Sequence, residues 1–187
     1  FWVNQALPIG LNARSLADLP DSTNALLDEL AALGQSYNGL HAASGTLGSG
    51  SKDKVRLSLL RIIFKSAGLP EQYHLARFVL WLKSQDCLEQ VKAEIGEEKW
   101  QKEVRNIHVS PILHKALLKA LPDVSEPKEV REMLRAQFQE VKDITNEQMV
   151  DAIFDALEVD GELPLTLVVM DEVQQYIGLD EQRSYDV

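Results

Sequence analysis

The sequence predicts a mainly helical chain that contributes one buried strand to a parallel α/β sheet. Leu165–Met170 is a short, mostly apolar run, rich in β-branched residues, which is typical of a strand covered on both faces. Between residues 52 and 157, by contrast, apolar side chains recur at helical spacing and are interrupted by glycine and proline. Several of the expected helices are preceded by serine or threonine, which favour the first position of a helix.

Composition is that of an ordinary globular protein. The chain has 187 residues, of which 45% are hydrophobic and 26% charged, enough for one domain or for part of a larger one. Because it begins at Phe1 with apolar residues and without a secretory signal, we expect an internal fragment of a longer, cytoplasmic protein. The single cysteine, Cys87, excludes an internal disulfide and is expected to be a packed residue.

The net charge and hydropathy of the chain limit the classes of partner that it is expected to bind. Binding to nucleic-acid phosphates requires clustered lysine and arginine, so a segment of net charge −10 is not expected to bind nucleic acid by itself. DNA contacts through other domains stay compatible with the sequence. No apolar run is long enough to span a membrane, so no membrane association is expected.

Residues 1–51 form the first expected segment. Phe1–Asn4 resembles the end of a strand, and a helix is expected to begin near Ser22 and to stop at Gly34. From Gln35 to Ser51 the chain is rich in glycine, serine and asparagine, which predicts a loop.

The centre of this loop, Gly45–Lys52, invites comparison with the Walker A phosphate loop. That pattern needs Gly-Lys-Ser/Thr so that the lysine reaches the phosphates and the hydroxyl reaches Mg²⁺. Here Gly50 is followed by Ser51, so Lys52 is one place late and Asp53 replaces the hydroxyl residue. No strand is expected before it either. We therefore predict a flexible loop and assign it no cofactor-binding residue.

Residues 52–158 form a predicted helical block. Its helices are expected to bury apolar stripes, with stops at Gly68 and Gly96 and starts at Ser110-Pro111, Ser125-Glu126-Pro127 and the capping box Thr145–Gln148. The stripes contain the following residues: Val55, Leu59, Ile62 and Ile63; Leu75, Phe78, Val79 and Leu82; Trp100, Val104 and Ile107; Leu113, Leu117 and Leu121; Val130, Leu134 and Phe138. The four histidines show no metal-ligand spacing and are expected to be packed or exposed.

Residues 159–187 contain the motif with the clearest chemistry. A turn at Asp160–Pro164 leads into the strand, and Asp171 and Glu172 follow at its carboxyl end, where open α/β sheets bind ligands. In a P-loop NTPase this pattern is the Walker B element. The first acid, Asp171, would hold Mg²⁺, and Glu172 would act as the base for the attacking water. The alternative is that an acid here merely caps the next helix.

The pattern extends to other segments: Leu163–Gly178 together with Arg183–Val187, Val55–Leu60, Ser66–Tyr73 and Leu75–Leu82. With these, the sequence resembles the large P-loop ATPases of bacterial phage-exclusion gene clusters (BREX and phage-growth limitation). The resemblance implies an AAA-like α/β NTPase domain with a large helical insertion. ATP and Mg²⁺ would be the cofactors in the full-length parent, other proteins of the defence system would be partners, and oligomerisation is compatible with it. Only Asp171 and Glu172 receive family roles, so this segment without a Walker A loop is expected to be inactive alone.

Two other functions remain open. Asp171–Gln174 also matches the Asp-Glu-x-Gln box of superfamily-1 helicases, although the long helical stretch before it is less natural there. Alternatively, the helical block is a non-catalytic protein-interaction module, and the two acids only cap a helix.

Overall fold

The computed structural model describes residues 22–37, 39–47 and 54–177. This part of the chain is mainly helical with a two-stranded parallel sheet, as the predicted fold class requires at this coarse level. The expected strand at Phe1–Asn4 and the residues after Ile177 lie outside the described part.

The chain divides into two compact units. A sheet unit comprises Phe1–Gly68 and Asp143–Val187, and a helical unit comprises Leu69–Lys142. These limits differ from the expected divisions after residues 51 and 158. The helices at the two ends of the expected helical block belong to the sheet unit.

The elements follow one another along the chain in this order: α1 Ser22–Ser36, β1 Leu40–Thr46, α2 Val55–Ser66, α3 Tyr73–Ser84, α4 Leu88–Ile95, α5 Glu97–Arg105, α6 Pro111–Ala120, α7 Pro127–Gln137, α8 Asn146–Leu157, β2 Leu165–Asp171 and α9 Val173–Ile177. After the expected stop at Gly68, the next helix begins at Tyr73.

The sheet corrects the prediction for Gln35–Ser51. Residues 40–46 of the expected loop form β1, which pairs in parallel with β2 so that Leu40 lies opposite Leu165 and Thr46 opposite Asp171. The residues of β1 are mostly small and have low intrinsic strand preference. Their extended conformation depends on hydrogen bonds to β2, a partner far away in the sequence.

Helix α2 packs against both β1 and α8. Its contact with β1 is close at one point, since a Cβ atom added to Gly45 would lie 2.6 Å from Cγ1 of Ile62. A glycine is therefore required where the helix crosses the strand. One apolar cluster in the core of this unit contains Ala43, Leu47, Ile62, Ile63, Leu157 and Tyr176.

Strand β2 is less buried than predicted. Every residue from Leu165 to Met170 is half-buried, whereas the apolar run predicted full burial on both faces. Val168 and Met170 pack against the core of the sheet unit. Within the described residues β2 has a strand neighbour on one edge only, which leaves the other edge less covered.

The turn before β2 agrees with its sequence. Val159 and Glu162 exchange two backbone hydrogen bonds of 2.9 and 3.1 Å. The two residues between them, Asp160 and Gly161, have φ values of 54° and 82°. An Asp-Gly pair with positive φ at both positions is the favoured two-residue hairpin turn. The acidic residues here thus belong to a turn.

The helical unit has its own core, built from α3 to α7. All the apolar residues predicted to face inward in these helices are buried, and Ile107, which lies just past the end of α5, joins them. Phe78, Trp81 and Phe138 form an aromatic group with ring centroids 5.4–6.2 Å apart. Cys87 is buried as expected, at the N-terminal cap of α4. No helix among the described residues is long and apolar enough to cross a membrane.

Two predicted helix starts are confirmed in detail. The Ser110 hydroxyl accepts a 3.0 Å bond from the Leu113 N–H and a proline follows at the first position of α6. Thr145 and Gln148 form the reciprocal capping box of α8.

The histidines are packed within each unit. In the sheet unit Nε2 of His41 lies 2.8 Å from the Ser66 hydroxyl. In the helical unit the rings of His74 and His108 are parallel, with an interplanar angle of 8° and centroids 6.4 Å apart. Partial burial lowers the pKa of His74, the nearby Glu140 carboxylate opposes this, and His108 lowers the pKa further.

We expect Gly45→Ala to destabilise the sheet unit, because the added methyl must displace Ile62 or α2. Overpacking of this kind costs about 1–3 kcal/mol. Urea denaturation of Gly45→Ala beside Ser44→Ala, a truncation at the neighbouring half-buried position, measures the effect. Equal stabilities of the two variants would contradict the close contact.

The helical unit is expected to lose stability as the pH falls from 7.5 to 5. The folded state binds a proton at His74 less readily than the unfolded state, whose histidine pKa is about 6.5, so protonation favours unfolding below that pH. In urea titrations at both pH values, His74→Gln should lose less stability than the wild type. The limit for one proton is about 1.4 kcal/mol per pH unit. Lys128→Gln, on an exposed helix face, should behave like the wild type.

Candidate functional site

The candidate site lies at the carboxyl edge of the sheet. Because β1 and β2 are parallel, their last residues, Thr46 and Asp171, are neighbours across the sheet. The ladder continues one residue further, since the Leu47 N–H donates a 2.9 Å bond to the Asp171 carbonyl oxygen. The end of β1 and the predicted metal-binding acid are thereby held in fixed register.

The elements around this edge have the order strand, glycine-rich connection, helix. β1 ends at Thr46 and α2 begins at Val55, and the connection between them contains Gly48 and Gly50. The expectation that no strand precedes this stretch was therefore wrong. Residues 48–53 lie outside the described part, so the late position of Lys52 remains a statement about the sequence alone.

Asp171 is exposed at the end of β2. Its Oδ1 accepts a 2.7 Å hydrogen bond from the Glu172 N–H. The carboxylate thus bonds the amide immediately before α9 instead of an amide inside that helix, which is a poor fit to the helix-cap alternative. Its other oxygen, Oδ2, has no hydrogen bond to another described residue, which leaves one carboxylate oxygen for a cation or its bound water.

Glu172 adopts a left-handed backbone conformation, with φ of 59°. Its carbonyl oxygen accepts a 3.1 Å bond from the Tyr176 N–H, and the buried Tyr176 ring anchors α9 in the core of the sheet unit. The Glu172 side chain itself is exposed. Left-handed conformations of ordinary residues cost energy, and Glu172 adopts one at the point where the chain passes from β2 into α9. No pattern in the sequence predicts this backbone conformation.

The described residues contain no group of three or more His, Cys, Asp or Glu side chains arranged to hold a metal ion. Where Mg²⁺ is bound beside a nucleotide, one or two carboxylate oxygens usually join waters and phosphate oxygens as its ligands. Asp171 can supply one such oxygen.

A second feature of the sheet unit lies at the N-terminal end of α8. The Arg56 guanidinium contacts both oxygens of Asp143, with the shortest distance 3.0 Å, and reaches Oδ1 of Asn146 at 3.3 Å. These residues line an open cleft of about 720 Å³ that includes neither Asp171 nor Glu172. No local pattern in the sequence predicts this contact, because Arg56 and Asp143 are 87 residues apart.

Burial raises the pKa of Asp143, but hydrogen bonds from Arg56 and from the Ile144 N–H, with the nearby positive charges of Arg56 and Lys54, outweigh it. The net result is a pKa below the usual aspartate value. The carboxylate is therefore ionised and paired at neutral pH.

The chain matches no protein-family model, and no curated protein or solved structure is significantly similar to it.

We expect Glu172→Gly to be more stable than Glu172→Gln by about 1 kcal/mol, because glycine adopts the left-handed conformation without strain. Chemical denaturation of the two variants provides the comparison. Gln174→Gly is the matched control, since a glycine inside α9 should instead destabilise by about 1 kcal/mol. A Glu172→Gly variant less stable than Glu172→Gln would show that the backbone at this position is not strained.

Proposed function

We propose that the carboxyl edge of the β1–β2 sheet supplies the acids for Mg-ATP hydrolysis in a larger P-loop ATPase. The observation that supports this most directly is the register between the strands. The strand that leads into the glycine-rich connection ends opposite Asp171, the acid expected to hold the metal. A phosphate loop and a Walker B acid must meet in this way if both are to contact one nucleotide.

In this proposal Asp171 binds Mg²⁺ directly or through a water, and Glu172 accepts the proton of the attacking water. The water oxygen bonds to the γ-phosphorus, the bond from that phosphorus to the bridging oxygen breaks, and ADP leaves with inorganic phosphate. Mg²⁺, when bound with ATP, neutralises charge on the phosphate oxygens. The left-handed backbone of Glu172 turns the chain directly after the strand and gives the two adjacent acids separate positions for separate roles.

The sequence matches the Walker A phosphate-binding pattern less well than it matches the Walker B pattern. Lys52 does not stand where the Walker A pattern has its lysine, so this segment by itself is not expected to turn over ATP. The proposal therefore concerns the full-length protein. Its role in anti-phage defence, with other defence proteins as partners, rests on the sequence resemblance alone. The Asp-Glu-x-Gln box of a helicase is an alternative use of the same two acids.

A partner-binding role for the helical unit is the candidate from a different class. Its core is self-contained, and two large apolar residues, Val109 and Ile112, are 67% and 43% exposed. In this case the acids would have no part in catalysis. The two hypotheses differ in what a change at Glu172 does.

In the full-length protein we expect Glu172→Gln to lower ATP turnover by about 100-fold or more, since a positioned base contributes at least that factor. ATP binding should persist because the side chain keeps its shape. Steady-state phosphate release and nucleotide binding are measured on the same preparations. Glu162→Gln, the same chemical change at the opposite end of β2, is the control and should retain activity.

If Glu172→Gln and Glu162→Gln turn over ATP at the wild-type rate, the Walker B assignment fails. The partner-binding hypothesis for the helical unit then takes its place.

A further inference from the structure

The chain passes from one compact unit to the other twice, and both crossings are attached to α2. The first crossing, Gly68 to Leu69, follows the end of α2 directly. The second, Lys142 to Asp143, is distant in sequence but is held to the first turn of α2 by Arg56. A single helix thus anchors both crossings, once covalently and once through a side chain.

Apart from the Arg56 contact, few interactions among the described residues fix the segment that contains the second crossing. Residues 138–145 form neither helix nor strand, and those from 139 to 143 are exposed. Phe138 at the start of this segment is buried in the helical core, and Thr145 at its end belongs to the capping box of α8. Between these ends, the described anchors are the buried Ile144 and the Arg56 contact with Asp143.

The Arg56 guanidinium makes several hydrogen bonds at once, which fix its orientation. Its Nη2 lies 3.1 and 3.0 Å from the two Asp143 oxygens, while Nη1 reaches Asn146 at 3.3 Å in the first turn of α8. Asp143 Oδ1 also accepts the Ile144 N–H at 2.8 Å, which orients the carboxylate. Two-point arginine–carboxylate contacts of this kind are stronger and more directional than ordinary surface ion pairs.

We propose that Arg56 is a latch that fixes the second crossing to α2, and that releasing it frees residues 139–145 while the sheet unit stays folded. With the Arg56–Asp143 contact formed, a displacement of α2 would displace both crossings. When the latch is open, only the first crossing follows the helix. This inference concerns the fold and does not depend on ATP binding.

Limited proteolysis of the whole chain tests the latch. The protease Glu-C cuts after Glu140, a site whose own sequence is unchanged by substitutions at residues 56 and 143. Cleavage needs an open segment, so its rate follows the fraction of chains in which the crossing is released. We expect Arg56→Gln to raise the initial rate after Glu140 by about two- to fivefold, the size expected for a partly exposed pair.

Three further variants complete the design. Arg61→Gln, on the same helix but outside these contacts, should cut at the wild-type rate. Arg56→Lys, which keeps the charge but loses the planar two-point contact, should be intermediate. The double variant Arg56→Gln/Asp143→Asn should be no faster than Arg56→Gln alone, because both changes break one interaction.

An equal rate after Glu140 in Arg56→Gln and Arg61→Gln would overturn the proposal. So would a parallel rise in cleavage after Glu158, beside the sheet, because Arg56 would then stabilise the whole sheet unit. If Arg56→Gln does not fold, Arg56→Lys is compared with Arg61→Lys. Equal rates of cleavage after Glu140 in these two variants would likewise overturn the proposal.

Discussion

The sheet unit depends on the parallel pairing of β1 with β2. Parallel strands cannot be joined by a tight turn, so the chain between them must cross over the sheet. Here it leaves β1 through α2 and returns to β2 through α8, and these two helices pack against each other. The helical unit, Leu69–Lys142, lies between them in sequence and has a separate core. A long insertion is compatible with the sheet because α2 and α8 complete the crossover without it.

The same pairing gives the two acids their position. Register with β1 puts Asp171 at the edge where the glycine-rich connection begins, and the strand end forces the chain into α9 at once. Glu172 accommodates that change of direction in a left-handed conformation, while its neighbour keeps one carboxylate oxygen free of described hydrogen-bond partners. The two adjacent acids thereby have different backbone conformations and different hydrogen bonds, as the proposed metal-binding and proton-accepting roles would require.

Helix α2 connects the features of the sheet unit. It follows the glycine-rich connection, crosses β1 where Gly45 admits Ile62, packs on α8 and carries Arg56. Close packing transmits displacement because a filled core resists local deformation. Helix α2 contacts both the strand that ends beside the candidate site and Asp143, the residue at which the chain re-enters the sheet unit.

The sequence by itself determined the elements that carry strong local signals. These are the amphipathic helices of the helical unit, the caps at Ser110 and Thr145, and the apolar strand that ends in Asp171. Tertiary structure alone decided β1, the incomplete burial of β2, the conformation of Glu172 and the pairing of Arg56 with Asp143. Each of these depends on a partner distant in sequence or on a backbone angle imposed by packing. Neither leaves a periodic pattern in the residues concerned.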